Sequence, residues 1–291
     1  MQESNLLYNA KEVYKADVDF LNPSTLARIT SFLRITPDFF LGGVQKGGTT
    51  SLYAALCQHP QIIPAKFKEV FYYGNSSNYK NGLSYYKQFF ATSRYKKSLE
   101  GKIGKHALTL DASTNTFDSK EAPGRILKDN PDAKIIFILR NPGDRAFSHY
   151  KMGVQREWEL ADFEKALELE EKRIEDGKTN SLSDKNHNYA YYRLGYKSRG
   201  IYVEYLKNWM SIFPNKNILV ISSEEFLKNE EQTYKTVCEF LKIDVIKIKS
   251  EKLNEGPSGK MKTETKKMLN DFYKPYNEEL FKLLNKKFDW D

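Results

Sequence analysis

Lys46 is the first residue whose surroundings could do chemistry. It stands in "QKGGTTS", where two glycines and three hydroxyl residues follow it and the apolar run "DFFLGGV" precedes it. Glycines let backbone amides close on a ligand, hydroxyls donate to its oxygens, and the start of a helix favours negative charge. The chemistry is anion binding, with Lys46 as a point charge and Gly47, Gly48, Thr49, Thr50 and Ser51 as donors. The loop that binds nucleoside triphosphates, G-x-x-x-x-G-K-[ST], puts its lysine directly after the last glycine. Here Gly43 and Gly48 keep the glycine spacing, but Thr49 takes the lysine's place. A plain glycine turn between strand and helix is the competing account.

A second group lies in "KIIFILRNPGDRAFSHYKM". An enzyme that hydrolyses nucleotides would end such a strand in Asp to hold magnesium; this one ends in Arg140. Eight residues on, along the helix that Asn141 and Pro142 start, comes Ser148. An arginine fork and a serine hydroxyl two helical turns later can grip a phosphate. A salt bridge from Arg140 to Asp144 is the alternative. Two anion sites, one with no magnesium carboxylate beside it, point to a nucleotide phosphorylated at two separate positions.

The elements that must position these residues are legible from short apolar runs bounded by breakers. Strands are expected over residues 38–44, 106–110, 134–140 and 217–222. Helical patterns fall at 50–58, 82–90, 122–130, 142–155 and 199–214. Strand and helix alternate, and the strands are apolar throughout rather than alternating. That pattern predicts an α/β fold, a single domain with a central parallel sheet covered by helices on both faces and resembling the P-loop nucleotide kinases. A charge-rich helix followed by a polar loop is expected over 165–186, and one or two amphipathic helices at the C-terminal end. Residues 1–35 read as a helical arm and 36–291 as the domain.

The chain carries 46 Lys+Arg against 38 Asp+Glu, a formal charge of +8 in 291 residues. This favours polyanionic partners, but the lysines are dispersed among glutamates and form no basic tail, so nucleic acid is not expected. Cys57 and Cys238 are far apart and read as buried thiols. Four scattered histidines give no zinc pattern, and no metal is expected. No run approaches the ~20 apolar residues of a membrane span, and the first twenty residues lack a secretion-signal pattern. A cytoplasmic protein with no membrane partner is the expectation.

Taken together and in order, the two motifs resemble those of the sulfotransferases that use 3′-phosphoadenosine-5′-phosphosulfate, most closely the heparan-sulfate and carbohydrate branch. The likeness runs from about Phe39 to Leu241. It implies that "QKGGTTSL" holds the 5′-phosphosulfate and that Arg140 and Ser148 of "RNPGDRAFSHY" hold the 3′-phosphate. "KEVFYYGNSSNYKNGLSYYKQFF" resembles a segment that carries the general base, which places that role on Glu69. A carboxylate near the acceptor can take the proton that the acceptor loses as sulfur is attacked. Pairing of Glu69 with Lys66 or Lys68 is the alternative. "DASTNTF" resembles a further segment, and Asp111 there could orient the acceptor, act as base in place of Glu69, or cap a turn. Arg199 and Gly200 are expected to approach the cofactor, and Lys260 of "NEGPSGKMK" to contact it from a late loop. The acceptor side departs from the heparan-sulfate branch at Phe71, Ala112 and Thr114. The implied reaction moves a sulfuryl group to a hydroxyl or amine of a glycan or small molecule, without metal. Two other readings stay open: a kinase using ATP and magnesium, with Asp111 on the metal strand, and a non-catalytic binder of acidic glycans.

Overall fold

The structure, a computed structural model, describes residues 26–179, 189–249 and 259–290. The apolar runs become strands β1 (Phe39–Gly43), β3 (Leu108–Asp111), β4 (Lys134–Leu139) and β5 (Ile218–Ser222). A fifth, β2 (Ile62–Pro64), escaped the sequence reading: it is three residues long and ends in a proline, which an edge strand tolerates. All pairings are parallel, in the order β2-β3-β1-β4-β5. The register sets Phe39 beside Leu110 on one flank and beside Lys134 on the other. The anion loop therefore leaves the central strand, and the Arg140 turn leaves its neighbour.

Burial on both faces explains why the strands are apolar throughout. Ile135, Phe137 and Leu139 of β4 face one core with Phe40, Phe117 and Trp209. Ile136 and Ile138 face the other, with Leu41, Leu52, Leu56 and Val237. Beneath the second face lie α1 (Thr49–Leu56) and, later in the chain, Glu230–Leu241. The first face is covered by α2 (Gly82–Lys87), the segment Ala122–Asp129, the helix Tyr202–Ile212 and the end of Thr263–Leu284. In chain order the remaining long helices are α3 (Ser93–Ile103), α4 (Ala122–Asp129), α5 (Pro142–Gln155), α6 (Phe163–Thr179), α7 (Tyr202–Ile212), α8 (Glu230–Leu241) and α9 (Thr263–Leu284).

Helix α3 buries no residue, so no apolar periodicity announced it. Its start is fixed by the Thr92 hydroxyl, which accepts from the Tyr95 amide at 3.2 Å. The C-terminal pattern forms one helix, with Pro275 inside it. The described end of the arm, residues 26–35, lies on the domain: Arg34 donates to the Phe90 carbonyl at 2.7 Å. The polar loop expected after α6 and most of "NEGPSGKMK" lie outside the described residues. Both cysteines are free thiols, and burial pushes Cys57 up to about 12 and Cys238 up to about 11. No described helix is long and apolar enough to cross a membrane.

Candidate active site at the carboxyl edge of the sheet

The anion loop is shaped by how tightly it presses on β4. The Val44 amide donates to the Ile138 carbonyl at 3.0 Å, and the Gly47 amide to Val44 at 3.0 Å. A Cβ on Gly47 would stand 2.5 Å from the Ile138 oxygen, so no side chain fits there. Lys46 takes a left-handed φ of 66°, and Gly48, at φ 100°, caps α1. The amides of Gly48, Thr49, Thr50 and Ser51 make no main-chain hydrogen bond. They form the set of unused donors that a helix start offers an anion. Thr49 is buried, Ser51 half-buried and Thr50 exposed.

Arg140 follows β4 directly and Ser148 lies two turns along α5, both half-buried. The turn between them is tightly made. Asn141 accepts from the amides of Gly143 and Asp144 at 2.9 and 3.1 Å, with Pro142 at the first helical position. The Glu224 carboxylate accepts from the Asn141 amide at 2.8 Å, and the Trp290 carbonyl from its side chain at 2.9 Å. The expected alternative partner of Arg140, Asp144, does not engage it: among the described residues neither Lys46 nor Arg140 pairs with a carboxylate. Burial, and then the charges of Arg140, Arg156 and Lys151, hold the Lys46 ammonium below the usual lysine range. Three further cations thus act on the Lys46 ammonium. Sequence reasoning missed Lys151 and Arg156, although Lys151 follows Ser148 by one helical turn on α5.

Glu69 belongs to a segment laced to the end of β3. Its amide donates to the Ala112 carbonyl at 2.9 Å, and the Phe71 amide to the Ser113 hydroxyl at 3.1 Å. Glu69 and Phe71 both sit in the left-handed region, at φ 69° and 53°, a conformation that costs a non-glycine residue about 1 kcal/mol or more. Oε2 of Glu69 accepts from the Thr114 amide at 2.8 Å and from its hydroxyl at 3.0 Å, while Lys68 pairs with Oε1 at 2.5 Å. Glu69 therefore makes the alternative pairing, with Lys68, next to the end of β3. The Thr114 carbonyl lies 3.3 Å from where a Cβ on Gly43 would be, which puts this carboxylate's anchor against the anion loop.

Asp111 lies deeper. It is 1% exposed, and its two oxygens accept from the hydroxyls of Tyr86 at 2.5 Å and Ser113 at 2.6 Å. Burial pushes its carboxyl up to about 6, against the pull of those two hydroxyls. The Ser113 hydroxyl in turn supports Phe71, so Asp111 holds the Glu69 segment from beneath. Arg199 is also committed to protein partners, at 4% exposed: it donates to Asp118 at 2.6 Å, to the Tyr192 carbonyl at 3.0 Å and to the Gln45 side chain. Lys260 is exposed, next to the segment outside the described residues. No group of three His, Cys, Asp or Glu among the described residues could hold a metal ion.

This arrangement can bind an anion with several negative oxygens along the edge from β1 to β4, and it places a carboxylate beside that edge. Ligands of open parallel sheets bind at this edge. Comparison with known proteins bears on the family. The chain is 25% identical over 282 residues to heparan sulfate glucosamine 3-O-sulfotransferase 3A1 of Mus musculus, covering 88% of this chain and 64% of that one. It is 28% identical over 282 residues to the mouse bifunctional heparan sulfate N-deacetylase/N-sulfotransferase 4, covering 86% of this chain and 30% of the relative. The chain thus spans less than two thirds of each of these two. A crystal structure of a sulfotransferase from Alicyclobacillus acidocaldarius superposes with a TM-score of 0.67 at 26% identity, over 87% of this chain and 98% of the other. The family model of the sulfotransferase domain matches residues 36–277, nearly all of the described fold, and the chain belongs to that family.

Proposed function

We propose that the protein transfers a sulfuryl group from 3′-phosphoadenosine-5′-phosphosulfate to a hydroxyl or amine of a glycan or small molecule. The observation that carries this reading is the pair of cations at two adjacent strand ends, Lys46 after β1 and Arg140 after β4. Neither is neutralised by a carboxylate among the described residues, and four unused amides stand beside the first. Such a set fits a nucleotide with phosphates at two positions. When bound, that nucleotide supplies the sulfuryl group and a phosphate leaving group.

The chain's own residues do the rest. Lys46 and the amides of Gly48, Thr49, Thr50 and Ser51 hold the 5′ oxygens. Lys46 also offsets negative charge that grows on the phosphate side as the S–O bond breaks. Arg140 and Ser148 hold the 3′-phosphate and fix the nucleotide's register along the edge. Glu69 takes the acceptor's proton as the new O–S or N–S bond forms; Thr114 keeps one of its oxygens in place, and Lys68 must yield the other. Asp111, with both oxygens occupied by hydroxyls, supports this carboxylate and does not replace it. The heparan-sulfate relatives make a glycan acceptor the first class to try.

The test is calorimetric titration with adenosine 3′,5′-bisphosphate, followed by transfer of labelled sulfate to a panel of glycans and small phenols and amines. The bisphosphate should bind, and at least one acceptor should take up label. Binding of ATP with magnesium in preference to the bisphosphate would instead support the kinase reading. Bisphosphate binding without transfer to any acceptor would support a non-catalytic binder.

A further inference from the structure

Arg199 has the charge expected of a phosphate contact but not the freedom. Its guanidinium is 4% exposed and its charge is matched by Asp118, itself equally buried at 4%. It therefore adds no net charge to the anion site. The rings of Tyr191 and Tyr192 lie 5.8 and 5.2 Å from it, and its Nη1 also donates to the Tyr192 carbonyl at 3.0 Å. The next residue, Gly200, is pressed on Tyr273: a Cβ there would stand 2.6 Å from the ring hydroxyl. A group so enclosed cannot swing out to meet a ligand.

What Arg199 does reach is the loop. Nη1 donates to the side-chain oxygen of Gln45, the residue before Lys46. Gln45 is half-buried, and the chain turns directly after it through the left-handed Lys46. Lys46 has no carboxylate partner among the described residues, and burial and then the charges of Arg140, Arg156 and Lys151 disfavour its ammonium. The Arg199–Gln45 hydrogen bond ties the residue that enters this turn to the buried Arg199–Asp118 pair. We infer that Gln45 and Arg199 are positioning residues: Arg199, locked by Asp118 and the two tyrosines, grips Gln45 and so aims Lys46 at the 5′ group of the nucleotide. The inference rests on the two-phosphate reading and changes the role of Arg199 within it.

The test compares two ligands that differ only at the 5′ position, adenosine 3′,5′-bisphosphate and adenosine 3′-monophosphate. Gln45→Ala should bind the bisphosphate about tenfold more weakly while binding the 3′-monophosphate as the wild type does. In a Lys46→Ala background the same substitution should cost nothing further, since Gln45 acts through Lys46. Unchanged binding of both ligands by Gln45→Ala would overturn the inference. So would equal weakening of both, the mark of a general loss of structure. Should Arg199→Lys fail to fold, the Gln45 variants still decide the matter. A wild-type protein that did not prefer the bisphosphate to the 3′-monophosphate would remove the two-phosphate reading and this inference with it.

Discussion

At Lys46 the requirements of binding and of stability pull in opposite directions. Its ammonium is disfavoured in the folded protein by burial and by three nearby cations, so its charge costs stability at neutral pH, and the cost fades only as pH rises towards its own titration. Lys46→Met, which keeps the stem and removes the charge, should raise the Tm of the ligand-free protein. The same change should lower kcat by about a hundredfold or more, measured as labelled sulfate transferred at saturating nucleotide. An unchanged kcat would remove Lys46 from the reaction. Asp111 poses the same question for stability alone. Its carboxyl is raised from 3.8 to about 6, so the folded state binds the proton more tightly than the unfolded chain does. Its contribution is present in full below the unfolded value and is lost as pH rises through about 6. The loss should amount to roughly 3 kcal/mol between about pH 4 and pH 7, and Asp111→Asn should flatten that slope in urea unfolding. Both residues were legible as chemistry-bearing types. Which of the carboxylates stands at the open edge was not, because burial of Asp111 depends on Tyr86, which lies 25 residues away in sequence.

At the scale of elements, the strand-to-helix turns are the parts the proposed function relies on. The β4–α5 turn was readable almost to the residue, because Asn141 and Pro142 are local signals whose effect does not wait for tertiary contacts. Arg140→Ala leaves that cap intact and should weaken bisphosphate binding about 10- to 100-fold, as loss of charged hydrogen bonds does, with little change in Tm. Gly47→Ala should differ in lowering stability as well. The added methyl would stand 2.5 Å from the Ile138 carbonyl and 2.6 Å from Val44, so the loop would lift off β4 and both stability and binding should fall together in thermal-shift assays. Strand β2 and helix α3 escaped the sequence reading for a shared reason. One is too short to show a period and the other buries nothing, so neither leaves the pattern that burial imprints on sequence.

At the scale of the whole molecule, the last described residues are tied to the candidate site. Trp290, 6% exposed, packs among Tyr202, Phe281 and Phe288, accepts from Asn141 at 2.9 Å through its carbonyl and donates to Glu224 at 3.0 Å through its ring. Tyr202 in turn donates to the Arg140 carbonyl at 2.9 Å. Trp290→Ala should cost about 3 kcal/mol, the usual loss for a buried tryptophan, and should also weaken bisphosphate binding, because the Arg140 turn loses its support. A loss of stability with unaltered binding would show that Trp290 serves packing alone. By itself the sequence determined the α/β class, the parallel sheet and the two anion motifs. Each of these rests on local chemistry: apolar runs, glycine spacing, caps and the residue that ends a strand. Tertiary structure alone decided which charges are free. Arg140 and Arg199 are equal as letters, yet Asp118 neutralises one and no described carboxylate reaches the other. That difference is set by contacts between residues distant in sequence, which no local pattern records.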